Sequence, residues 1–176
     1  MIIEFCELLF PFLKKGKNIV HLDRYDRRIL DLLQQDGRIS NQDLAERIGL
    51  SPSPCLRRVR TLEEAGLITG YRAQLDAKKL GLTLMALIGI SMDQHTPERF
   101  ANFEQAVAAI PEVLECLLIT GQQSDYQIKV AIRDMDAYQD LLLNRITRIA
   151  GVTGVHTSFV LRRVVERQAL PLPEPV

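Results

Sequence analysis

The chain contains no tryptophan, and aromatic residues fill only 6% of its 176 positions. A platform that stacks successive bases of a single strand needs more flat rings, so single-strand binding is disfavoured. An excess of either charge is also missing, because 22 Lys and Arg balance 22 Asp and Glu. Net charge therefore advertises no nucleic-acid partner, and any such case rests on where the charges are placed. The cysteines Cys6, Cys55 and Cys116 are odd in number, widely spaced and without a CxxC pair. That argues against a disulfide framework and fits a reduced, cytoplasmic setting. His21, His95 and His156 are equally scattered. No spacing joins them to the cysteines as zinc ligands, and neither a metal nor a cofactor is expected.

The apolar stretch Ile2–Leu13 contains Glu4 and Glu7, is broken by Pro11 and is followed by Lys14, Lys15 and Lys17. It is shorter than the roughly 20 apolar residues of a membrane span. A secretory leader carries its positive charges before the apolar run, not after it. Residues 1–21 read as an extension, either a dispensable arm or an amphipathic element that packs on a partner subunit. What remains has the 47% hydrophobic content of a globular protein and the length of two small domains.

From Leu22 the pattern is helical. Asp23 is a candidate N-cap with Asp26 three residues on, and Ile29, Leu30 and Leu33 form an apolar face. Gly37 is placed to end this helix in a left-handed turn. Ser40 with Asp43 opens a second, short helix that buries Leu44, Ala45 and Ile48 and stops at Gly49. A third begins at Ser51-Pro52 or Ser53-Pro54, since proline is tolerated in a first turn whose N–H groups have no intrahelical partner. A short helix, a Gly-containing turn and a second helix is the helix-turn-helix plan.

The third helix sorts its residues by face. Cys55, Leu56, Val59 and Leu62 fall on one side of the wheel. Ser53, Arg57, Arg60 and Thr61 fall on the other, with Pro54 and Arg58 on the flank. Arginine's planar fork matches guanine O6 and N7 or a phosphate, which suits a helix in the major groove. A solvated basic face on an ordinary bundle is the bland alternative. Base edges are assigned to Arg57 and Ser53, and phosphates to Arg58, Arg60 and Asn41, with Ser51 at the mouth of the helix. Residues 67–75 alternate around Gly70 like a strand pair, a small wing from which Arg72 can reach phosphate.

Residues 76–81 are polar and Gly-terminated, and read as a linker. Beyond them the order is βαββαβ: strand 82–92, a helix capped by Thr96-Pro97, strand 113–120, strand 126–132, a helix capped by Asp134, and strand 152–163. The first helix is expected to bury Phe100, Phe103, Val107 and Ile110, and the second Met135, Tyr138, Leu142, Ile146 and Ile149. This is the ferredoxin-like plan, so the fold class is α+β. The sheet face without helices is apolar enough to expect a second subunit over it. The tail, residues 168–176, is proline-rich and expected to fray from Pro171. No catalytic constellation emerges, so no enzyme is expected. The loop Thr120-Gly121-Gln122-Gln123-Ser124-Asp125-Tyr126 reads either as a plain hairpin turn or as a ligand loop. In the second reading, backbone N–H groups, a carboxylate and a phenol receive a small zwitterion.

Several ordered segments resemble the Lrp/AsnC (leucine-responsive regulatory protein/asparagine regulator) family. They are Leu22-Asp23-Arg24-Tyr25-Asp26-Arg27-Arg28-Ile29-Leu30, Asp36-Gly37-Arg38-Ile39-Ser40-Asn41, Gly49 to Val59, and Leu62-Glu63-Glu64-Ala65-Gly66-Leu67-Ile68. The resemblance runs from about Leu22 to Leu172. It implies a winged helix-turn-helix domain over 22–75 joined to an effector-binding and oligomerisation domain over 82–167. It also implies dimers that pair through their sheets and assemble to octamers, with amino acids bound between dimers. Carried over by motif, Gly121, Asp125, Tyr126 and Met135 sit at or near that pocket, with Ser124 and Ser158 as further candidates. The family loop reads Gly-x-x-Asp-Tyr, whereas three residues separate Gly121 from Asp125 here. The expected function is a sequence-specific transcription regulator of duplex DNA, tuned by an amino-acid effector. An architectural DNA-compacting protein and an enzyme or enzyme-regulatory subunit built on the ferredoxin-like domain are the alternatives.

Overall fold

The computed structural model describes residues 21–120, 124–167 and 169–172. The expectations for residues 1–20, for Gly121 and for the last four tail residues lie outside these. The chain divides into two units: one runs through Gln74 and takes up the chain again from Val165, and the other is Leu75–Val164.

The first unit holds helices α1 (Arg24–Gln35), α2 (Asn41–Ile48) and α3 (Pro52–Glu64). Asp23 caps α1 by accepting the Tyr25 and Asp26 N–H groups, and the Asp26 carboxylate returns the favour to the Asp23 N–H. That reciprocity satisfies donors the first turn leaves orphaned. The helix ends at Gln35, with Asp36 extended at φ −142°. Gly37 is not left-handed, contrary to expectation. The Asp36 carboxylate instead accepts the Arg38 N–H at 2.9 Å, a local turn that competes with further helix. Ser40 caps α2 through the Asp43 N–H, and Gly49 closes it in the left-handed region at φ 75°. Ser51 is the N-cap of α3 and Pro52 its first residue. Ile29, Leu30, Leu44, Ala45, Ile48, Cys55 and Leu62 form the core.

Two expectations fail in this unit. Residues 67–75 form no strand pairing. Apart from Ile68 they are exposed, and a ladder with so little to bury is not stable by itself. The tail does not fray at Leu172. The Leu170 N–H donates to Gln34 Oε1 at 2.6 Å, Gln34 Nε2 donates back to the Leu170 carbonyl at 3.2 Å, and Leu172 packs on the core.

The second unit contains β1 (Leu84–Met92), α4 (Pro97–Ala108), β2 (Val113–Leu118), β3 (Tyr126–Ile132), α5 (Met135–Asp140) and β4 (Val152–Phe159). The sheet is antiparallel in the order β2-β3-β1-β4, the ferredoxin-like arrangement. The expected linker 76–81 is a compact turn of this unit, in which Asp76 Oδ1 accepts the Lys78 and Lys79 N–H groups. Thr96 caps α4 and Asp134 caps α5 as their sequence positions predict. Ile88, Ile90, Ile128 and Val130 are fully buried with Phe103 and Val107. The intervening Leu87, Gly89, Gln127 and Lys129 therefore take the opposite, helix-free face, because strand side chains alternate.

After Asp140 the helix widens into a π segment over Leu141–Ile146. Five-residue spacing then shares a face, so Leu141 and Ile146 are the buried pair. The expected core residues Leu142 and Met135 are only half-buried and exposed, respectively. The last strand stops at Phe159 rather than at 163, and Leu161 is fully outside.

Candidate functional site

Helix α3 turns Cys55 and Leu62 into the core. Leu56, expected beside them, is 40% exposed. Ser51, Ser53, Arg57, Arg60 and Thr61 are exposed, with Pro54 half-buried among them. Arg57 and Arg60 make no ion pair among the described residues, and neither does the exposed Arg72. The helix thus presents two guanidinium groups and two hydroxyls on one solvent face; the Thr61 hydroxyl donates to the Arg57 carbonyl at 3.0 Å.

Arg58 belongs elsewhere. Its Nη1 lies 2.7 Å from both Asp23 Oδ2 and Asp26 Oδ1, and its guanidinium stands 5.3 Å above the Tyr25 ring. The Asp26 hydrogen bond holds its pKa above the ordinary arginine value against partial burial, with Asp23 adding to the effect. Burial pulls the Asp23 carboxyl upward, but the Asp26 and Tyr25 N–H groups and Arg58 outweigh it and leave the pKa lowered. The expected phosphate ligand is thus a brace from α3 to the cap of α1. Asn41 is a second brace: its Nδ2 donates to the Pro52 carbonyl at 2.9 Å, while its Oδ1 is buried without a partner among the described residues. Neither contact is legible in the sequence, since the partners lie 32 and 11 residues away.

In the second unit Asp125 is held on every side. Its N–H donates to the Ile90 carbonyl and its carbonyl accepts the Ile119 N–H, both at 2.8 Å. Carboxylate Oδ2 accepts the Met92 N–H at 2.7 Å, and Oδ1 lies 2.7 Å from His95 Nε2. His95 was not among the sequence candidates, because 30 residues separate the pair. Ser124 folds over Gly89: a Cβ at position 89 would collide with Ser124 Oγ and stand 3.3 Å from its Cβ. Ser124 thus takes the space over the helix-free face that a side chain at position 89 would fill.

Tyr126 faces the other way. It is 1% exposed, packs on Phe103 at 4.5 Å and meets Phe100 edge-on at 5.6 Å, and its hydroxyl donates to Glu104 Oε1 at 2.8 Å. Burial and then Glu104 push its pKa well above the tyrosine range. The phenol expected to meet a zwitterion is therefore engaged on the helix-covered face, opposite Ser124. Met135 opens the helix after β3, so the seven-residue strand puts it roughly 20 Å from Asp125 in one chain. Ser158 pairs with Leu87 on the helix-free face.

A cavity of about 350 Å³ opens between α4 and β2, lined by Glu104, Val107, Val113, Glu115, Cys116 and Tyr126 among others. Burial, and then Glu104, raise the Cys116 thiol to about 11. The lining has carboxylates but no cationic side chain, so it suits an amino acid's carboxylate poorly. Among the described residues no cluster of His, Cys, Asp and Glu is placed to hold a metal, and no helix is long and apolar enough to cross a membrane.

Residues 22–69 match the winged helix-turn-helix DNA-binding model, and residues 85–170 match the Lrp/AsnC ligand binding domain. The chain is 42% identical over 154 residues to the Bkd operon transcriptional regulator of Pseudomonas aeruginosa, covering 88% of this chain and all of that one. It is 43% identical over 149 residues to the leucine-responsive regulatory protein of Escherichia coli, covering 85% and 90%. A transcriptional regulator from Neisseria meningitidis, solved as an L-Met complex, superposes with a TM-score of 0.81 at 38% identity, covering 85% of this chain and 96% of that one. Escherichia coli AsnC does so at 0.76 and 31%, covering 84% and 97%. With its helix-turn-helix unit, its βαββαβ unit and these relatives in agreement, the chain belongs to the Lrp/AsnC family of transcription regulators.

Proposed function

We propose that this regulator reads duplex DNA with Ser53 and Arg57 at base edges and Arg60 and Arg72 at phosphates. We also propose that an amino-acid effector controls its assembly or operator affinity. The observation that carries the first part is the division of arginines on α3: Arg58 is tied to two carboxylates, while Arg57 and Arg60 stand in solvent. In a dimer the two α3 helices would enter major grooves roughly 34 Å apart. Arg57→Ala then relaxes sequence preference, whereas Arg60→Ala weakens binding to every duplex and lowers the salt slope by about 1. Titrations of both variants across a salt series test this, and unchanged binding in both refutes the assignment. An extended, sequence-indifferent footprint would favour DNA compaction instead.

The effector reading rests on the fixed Asp125 carboxylate, the natural receiver of an ammonium, and is supported by the Neisseria relative's L-Met complex. Since Met135 and Asp125 occupy opposite ends of β3, a pocket that uses both draws them from two copies of the chain. That fits a dimer paired through the helix-free sheet face and assembled further to an octamer. The reading is of a cytoplasmic regulator without catalytic activity. A thermal-shift screen of the twenty amino acids tests it, because a ligand that binds the native state raises apparent stability. No shift and no change in operator affinity with any of them would refute the effector role.

A further inference from the structure

We propose that His95 guards the Asp125 carboxylate, occupying the oxygen that an effector's ammonium needs and so setting how strongly a ligand must bind to enter. This rests on Asp125 being the ammonium receiver. The main chain of Asp125 is pinned to Ile90 and Ile119, and Oδ2 is taken by the Met92 N–H. Oδ1 is the remaining oxygen, and His95 Nε2 is on it at 2.7 Å. An acceptor that close fixes the neutral imidazole's role at Nε2 as donor. His95 is held there by its surroundings: the next residue, Thr96, caps α4, and the ring meets Phe100 edge-on at 5.9 Å. Its side chain is 46% exposed, against 23% for Asp125, so it stands on the solvent side of the carboxylate.

An incoming ammonium and the imidazole N–H are both donors with positive hydrogens competing for one oxygen. The ammonium must displace the imidazole, or share the oxygen under repulsion, and either lowers its net gain. A ligand without an ammonium has no such contest. The guard therefore acts on the amino group alone, and its removal distinguishes ligands by that group.

The test uses the full chain and the amino acid that most stabilises it in the screen, with its des-amino analogue, which keeps the carboxylate and side chain but has no N–H donor, as control. His95→Ala is expected to bind the amino acid about tenfold more tightly, the weight of one competing hydrogen bond to a charged group. His95→Gln, whose amide can still donate to Oδ1, is expected within about twofold of the parent by the same measure. The des-amino analogue should gain nothing in either variant. Equal or weaker binding of the amino acid to His95→Ala overturns the guard while leaving the effector reading intact. An equal gain for the des-amino analogue also overturns it, since freed space rather than a freed oxygen would be the cause. If Asp125→Asn binds the amino acid as well as the parent does, the ammonium reading of Asp125 fails, and the guard with it. If no amino acid binds either the parent or His95→Ala, both fail together.

Discussion

Replacing Arg58 with methionine keeps the aliphatic stem over Tyr25 and removes the charge that joins α3 to the cap of α1. Two contacts of 2.7 Å are lost, both made by the same nitrogen. Hydrogen bonds to charged groups contribute about 1.5–3 kcal/mol each in protected settings. Here the Arg58 side chain is 33% exposed and its partners 42% and 17%, so solvent screening brings the pair toward surface values. The expected loss is about 1 kcal/mol in all. For a unit of this size that lowers Tm by roughly 4–8 °C. Thermal unfolding of the full chain measures it, followed by a DNA titration across a salt series. With the Arg58 guanidinium engaged by two carboxylates, the salt slope is expected to stay unchanged once the comparison is made well below Tm. An unchanged Tm together with a slope reduced by about 1 would refute this reasoning and restore Arg58 to the phosphate backbone. A double-mutant cycle with Asp26→Asn should show the two losses to be less than additive.

Acid should loosen the same brace. The Asp23 pKa is lowered in the folded state, so its contribution is complete above the unfolded value of about 4 and is lost as pH falls through the folded one. Asp23→Asn should flatten the decline of Tm between pH 5 and pH 3, and an equally steep decline would refute the linkage. Cys116, raised to about 11, should react with iodoacetamide at pH 8 roughly a hundredfold more slowly than an ordinary exposed thiol. Peptide mapping after timed labelling checks this, and a rate equal to that of glutathione would refute it. Leu172→Ala should lower the stability of the DNA-binding unit by about 1 kcal/mol, since a partly buried leucine leaves its core. An unchanged thermal transition would show that the tail contributes nothing there.

Much of the fold was legible because its signals are local. Asp23, Ser40, Thr96 and Asp134 accept N–H groups within three residues of themselves, and Gly49 supplies the left-handed turn between α2 and α3. Such caps depend on neighbours in the chain, not on tertiary context. Clean alternation from Tyr126 to Ile132 likewise located β3 to the residue. The basic face of α3 followed from helical periodicity alone, and so did its place after a short helix and a glycine turn.

What the sequence by itself could not determine is which of several suitable side chains meet. The wheel sets Arg58 only on the flank of the face that carries Arg57 and Arg60, and the packing of α3 against α1 brings Asp23 and Asp26 to it. Asp125 and Tyr126 are adjacent in one motif, yet strand alternation sends the phenol to Glu104 while Ser124, just before them, lies over Gly89. The π turn at Leu141, the docking of Leu170 on Gln34 and the pairing of His95 with Asp125 are likewise tertiary decisions. In each, the free energy lies in a partner that chain distance conceals and only the fold brings within reach.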